Sequence, residues 1–82
     1  MSLMQRVVQQ LLHQLIDAEL LELVPGSTLA DLEEELLAAI GQAPGFSQAT
    51  PFLAGQILSS HRVHELYASD DQLREIMKHL EV

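Results

Sequence analysis

The residues of this 82-residue chain best equipped for chemistry lie together as His61-Arg62-Val63-His64-Glu65. Imidazoles and a carboxylate are the donor types that hold zinc or another borderline metal. On a helix, His61 and His64 would stand three positions apart on one face, a spacing that can chelate. A zinc-protease helix also needs Glu directly after its first His and a second His four positions on. Here His64-Glu65 is followed by Leu66-Tyr67-Ala68 instead. A third ligand would have to come from His13, His79 or a distant carboxylate. A solvated connector whose histidines happen to be neighbours accounts for the stretch more simply, so no metal or other cofactor is expected.

Nucleophilic catalysis has less support. The chain has no cysteine, which leaves a Ser or Thr with a nearby base and an oxyanion site. Ser59-Ser60-His61 places hydroxyl and imidazole side by side in sequence, but adjacent residues on a helix do not face each other. Ser27, Thr28, Thr50 and Ser69 precede apolar-periodic stretches and read as helix caps. Glu33-Glu34-Glu35 could attract a cation or a basic partner. Consecutive helical positions point in different directions, however, and a tight oxygen cage needs convergence. The expected protein is not an enzyme.

Charge narrows the partner classes. The formal net charge is −8, with Arg6, Arg62, Arg74 and Lys78 set against twelve Asp and Glu. A phosphate backbone is repelled by such a surface, because nucleic-acid affinity rests on Lys and Arg displacing counterions. Anionic membrane surfaces are disfavoured on the same ground. The longest apolar run, Leu36-Leu37-Ala38-Ala39-Ile40, is far short of the roughly 20 residues of a bilayer span. With no signal-peptide pattern in view, the expected location is the cytoplasm. Met1-Ser2-Leu3 ahead of Met4 reads as a cloning addition.

The elements that would position these residues are helical by their spacing. Met4, Val8, Leu11, Leu12, Leu15 and Ile16 line one face of a first helix over about residues 3–24. Leu20, Leu21, Leu23 and Val24 surround its end, relieved only by Glu19 and Glu22. Pro25-Gly26 stops it. Thr28, or Ser27, caps a second helix over 29–40, with stripe Leu29, Leu32, Leu36 and Ile40 and Gly41 as its stop. Gly41 to Thr50 is a loop in which Phe46 plugs the core. Thr50-Pro51 opens a third helix whose buried face is Phe52, Leu53, Ile57 and Leu58. Ser59 to Ala68 fits a short separate turn of helix or a continuation of the third. Ser69-Asp70-Asp71-Gln72 matches a capping box before the stripe Leu73, Ile76, Met77 and Leu80. Residues 1–82 therefore read as one all-α domain, a compact bundle of four to five short helices, with an N-terminal helical hairpin and a C-terminal helix pair.

In bulk, a small acidic four-helix chain is similar to an acyl carrier protein. That family carries a phosphopantetheine arm on the Ser of an Asp-Ser-Leu motif opening its second helix. The corresponding stretch here is Pro25-Gly26-Ser27-Thr28-Leu29. The Asp is absent, Leu is displaced by one position, and Pro25-Gly26 replaces the family's long first loop. The likeness covers composition and helix count, and Ser27 reads as a cap.

Burial and ordering nearly cancel for a chain of this size. Size scaling puts the area buried on folding at about 8,000 Å². With about 60% of it apolar, burial contributes roughly 120 kcal/mol. Ordering the chain costs about the same. An overfull helix end and a marginal protomer together suggest a non-catalytic protein-interaction or assembly module. The expected partner is a protein, most simply a second copy in a homodimer, with Leu12, Leu20, Leu21 and Val24 as the interface. The alternatives are a small acidic carrier or ligand-binding protein, or a metal-binding protein using His61 and His64.

Overall fold

The computed structural model describes residues 3–40 and 49–80, with side chains placed at all of them except 49–51. Helix α1 (Leu3–Asp17) buries Val7, Val8, Leu11, Leu12 and Leu15 along one face. It stops seven residues earlier than periodicity suggests. Glu19 adopts a left-handed backbone, φ 59°. Its N–H donates to the Ile16 carbonyl at 3.0 Å, and the Leu20 N–H reaches back to Leu15 O at 2.8 Å. This pair of bonds is the Schellman termination, which satisfies the last helical carbonyls and throws the chain out of the helix. Glycine usually occupies that left-handed position, and Glu19 is the one non-glycine residue with positive φ among those described.

The reversal overturns the all-α, four-to-five-helix bundle. Leu21–Leu23 forms strand β1, with Leu21 buried and Glu22 exposed. Val63–Leu66, expected as helix, forms strand β2 with Leu66 buried. The two pair antiparallel, Leu21 opposite Leu66, Glu22 opposite Glu65 and Leu23 opposite Val63. His64 is the extra residue of a bulge at Glu22/Leu23. Tyr67 N–H to Leu20 O (2.8 Å) and Val24 N–H to Arg62 O (2.9 Å) extend the ladder at both ends. Among the described residues the element order is thus α-β-α-α-β-α, a mixed fold of four helices and one two-stranded sheet. The all-helical expectation fails here because three alternating residues, Leu-Glu-Leu, are too short to separate strand from the end of an apolar helix.

Local signals suffice for the Pro25-Gly26 turn, α2 and α4. Val24 to Ser27 closes a turn through Ser27 N–H to Val24 O, 3.0 Å. Pro25 takes its second position and Gly26, φ 91°, the third, where a type II turn needs positive φ. Helix α2 (Leu29–Ile40) buries Leu32 and Leu36. It is capped by Thr28, whose Oγ1 accepts from Asp31 N–H at 3.2 Å. Helix α4 (Asp70–Lys78) opens with the full capping box: Gln72 N–H donates to Ser69 Oγ and Ser69 N–H to Gln72 Oε1. Such a cap contributes about 1 kcal/mol. Helix α3 (Ala49–Ser59) begins one residue before Thr50, and the Phe46 loop lies outside the described residues. Leu53, Ala54 and Ile57 face inward, whereas Leu58, expected in the core, is 63% exposed. With no charged residue, α3 has no polar face to dictate which side turns in.

One core cluster draws on every element, from Val8, Leu11, Leu12 and Leu15 through Leu21, Leu32 and Leu36 to Leu53, Ile57, Leu66 and Leu73. Helix α1 lies against α2, β1 and α4, and α3 against α2, β2 and α4. The accessible surface, 5033 Å², compares with about 4,900 Å² for an ordinary monomer of this mass. The total accessible area of the protomer is therefore ordinary for its size. No helix among the described residues is long and apolar enough to cross a membrane.

Two substitutions check this account. Leu21→Glu should place an unpaired carboxylate in the core and destabilise by more than about 3 kcal/mol. Most of the helical circular dichroism would then disappear, and a cooperative melt with native helix content would contradict the strand placement. Glu19→Gly should stabilise by about 0.5–1 kcal/mol by relieving the left-handed residue. Differential scanning calorimetry would read a Tm rise of about 2–8 °C, and an unchanged or lower Tm would contradict the cap.

Candidate functional site

The polar residues that the fold gathers most closely lie on the outer face of the sheet. Alternation puts Leu21 and Leu66 inward and Glu22 outward. The bulge breaks the alternation of β2, so His64 and Glu65 are both exposed. Glu22 and Glu65 are direct cross-strand partners. Like charges so placed repel. Tyr67 Oη donates to Glu22 Oε1 at 3.1 Å, and His64 Nε2 lies 3.9 Å from the same oxygen. The result is a carboxylate-rich face with one exposed phenol at its edge.

Arg62 anchors the face from below. Its guanidinium pairs with Glu35 of α2, its N–H donates to Ser60 Oγ at 3.1 Å, and its carbonyl accepts from Val24 N–H. The α3–β2 turn is therefore tied to α2 and to β1 at a single residue. Because this pair is partly exposed, its contribution is positional more than energetic.

The structure disperses most of the chemistry expected from the sequence. His61 sits in the turn after α3 and His64 on β2, so they do not share a helix face. His13 is exposed on α1, and His79 is exposed at the end of α4, 3.2 Å from Glu75 Oε1. Among the described residues, no three His, Asp or Glu side chains group as a metal would require. Four of the candidate hydroxyls have structural bonds instead. Ser59 Oγ donates to Gln56 O at 3.2 Å, and the buried Ser60 accepts from Arg62. Thr28 and Ser69 are caps. In the Glu33-Glu34-Glu35 run, Glu35 pairs with Arg62 while Glu34 is exposed. Leu12 and Leu21 supply the protomer's own core, and Leu20 and Val24 are half-buried. The four therefore form no outward patch.

Sequence reasoning missed Glu22, Glu65 and Tyr67 as a group. Their only local signal is the alternation in Leu21-Glu22-Leu23; Val63-His64-Glu65-Leu66 carries none. No protein-family model, curated protein or solved structure matches this chain.

The phenol of Tyr67 is held above its ordinary value of 10.0, first by its hydrogen bond to the Glu22 carboxylate and next by that group's charge. Desolvation and Glu65 add to the effect. The folded state thus holds the phenolic proton more tightly than the unfolded chain. That contribution to stability is complete below the unfolded value and is lost as pH rises through the folded one. The chain has one Tyr and no Trp, so phenolate absorbance reports this group alone. Its titration midpoint should lie above 10.0 and fall in Glu22→Ala; equal midpoints in the two proteins would show that the bond is not made.

Proposed function

We propose that the protein is a non-catalytic interaction module that offers the acidic outer face of its sheet to a protein partner bearing exposed Lys or Arg. The observation that carries this is the directly opposed Glu22–Glu65 pair, a repulsion on the surface that a cation from outside would relieve. The wider charge distribution supports it. Arg62, Arg74 and Lys78 are already paired with Glu35, Asp71 and Glu75, within a chain of net charge −8. Unneutralised charge at the surface is therefore mostly carboxylate, which speeds encounter with basic partners and repels acidic ones. Tyr67, 58% exposed, adds a rigid side chain of the kind that contributes strongly to binding. The same charge disfavours nucleic acid. A cytoplasmic setting is part of this proposal.

Titration with a short peptide of alternating Lys and Thr, followed by amide chemical shifts, tests the reading. Shifts should saturate and centre on Glu22, His64, Glu65 and Tyr67. Glu22→Gln combined with Glu65→Gln should weaken binding about tenfold or more, as should raised salt. Non-saturating shifts spread over all the acidic helices, or indifference to the double substitution, would rule it out.

A further inference from the structure

The segment Ala18-Glu19-Leu20-Leu21-Glu22-Leu23 stands in a conformation at odds with its own composition. Ala, Glu and Leu are among the strongest helix formers. None of these residues is β-branched or aromatic, the types that strands favour. Helix α1 nevertheless ends at Asp17, and Leu21–Leu23 is strand β1. The helix ends without the usual glycine: Glu19 holds φ 59°, a region that an L side chain enters at a cost. No glycine or proline stands before Pro25 to stop a helix sooner. What holds the observed form comes from farther along the chain. Leu21 and Leu66 lie opposite each other in the core, and Tyr67 N–H donates to Leu20 O at 2.8 Å. Charge adds to it, because Asp17, Glu19 and Glu22 would crowd the negative end of a longer helix. Preference within the segment and contacts from outside it therefore oppose each other.

We infer that residues 18–23 are a two-state segment, reversed and paired in the ground state and joining α1 as one continuous helix over 3–23 when the pairing with β2 lets go. The helical form relieves Glu19 of its left-handed backbone and gives each residue added to α1 an intrahelical bond. It gives up the sheet, the Leu20–Tyr67 bond and the seat of Leu21 in the core, so it stays the minor form. An element with two competing sets of backbone partners is what a conformational switch requires. A helix six residues longer carries the Pro25-Gly26 turn about 9 Å beyond Asp17 along its axis, so that turn and β2 must move in the same event. The consequence reaches the outer face of the sheet. Glu22 stands opposite Glu65 and accepts from Tyr67 only while β1 is a strand. Helix formation carries Glu22 away from both, so the acidic face exists in one form and is dismantled in the other. This holds whatever that face binds.

Carbon-13 chemical exchange saturation transfer at the Cα atoms of the full chain tests this, since it detects minor forms exchanging over milliseconds. Such a form should be populated at about 0.1–10%. Leu21, Glu22 and Leu23 should show minor-form shifts at helical values, downfield of their strand values. Residues 25–26 and 63–67 should exchange with the same rate and population. Glu19→Gly, which removes the left-handed penalty and lowers helix propensity, should cut the population about fivefold or more. Glu19→Ala, which takes a carboxylate from the helix end, should raise it about twofold. Glu19 is exposed, so neither change disturbs the core. Minor-form shifts at random-coil values, the mark of plain local unfolding, overturn the inference. So does an absence of exchange at residues 21–23 in both the wild type and Glu19→Ala, or a population that Glu19→Gly leaves unchanged.

Discussion

Glu19 holds a left-handed backbone so that the Leu20 N–H can reach back to Leu15, and the arrangement of everything after α1 follows from that reversal. Without it, Leu20 to Val24 would continue the helix and wind apolar side chains around all its sides. With it, Leu21 turns into the core and Glu22 out of it, and the backbone of residues 21–23 becomes available to pair. The unfavourable conformation is sustained by two backbone hydrogen bonds and by Leu21, only 5% exposed. A left-handed non-glycine residue costs about 1–2 kcal/mol, and burying a leucine side chain returns about 1.5–3 kcal/mol, so the exchange favours the reversal.

A two-stranded sheet is marginal by itself in water, so this one depends on its surroundings. Leu21 and Leu66 sit opposite each other over the shared core, α1 backs β1, and α3 backs β2. Arg62 ties the entry of β2 to α2 through Glu35. The strands are short and bulged and carry outward charges, features that discourage edge-to-edge pairing with other chains. The same bulge turns His64 and Glu65 outward together, so the device that ends regular pairing also builds the acidic face. Two surfaces of opposite character result, a charged one on the sheet and an uncharged one on α3.

Burial also revises where the apolar surface lies. Leu12 and Leu21 are internal. Among the described residues, the large hydrophobics that stay outward are Leu58 on an uncharged helix, with Leu3 and Tyr67 elsewhere. An apolar count along the chain measures how much must be covered. It does not say which residues are left over, because helix roll and strand pairing decide that.

The residues alone determined what is written within about one helical turn. Helices α2 and α4, the Thr28 cap, the Ser69–Gln72 box, the Pro25-Gly26 turn and most of the α1, α2 and α4 stripes were legible, because their hydrogen bonds and faces are local. The net charge came from composition. Tertiary structure decided the rest. Strands of three and four residues carry too little alternation to declare themselves, and α3 lacks the polar face that would show which side is buried. Glu22 and Tyr67 touch across 45 positions, a proximity created by the pairing of β1 with β2 and encoded in neither segment separately. The acidic face belongs to that pairing, since only long-range backbone hydrogen bonds bring its members together.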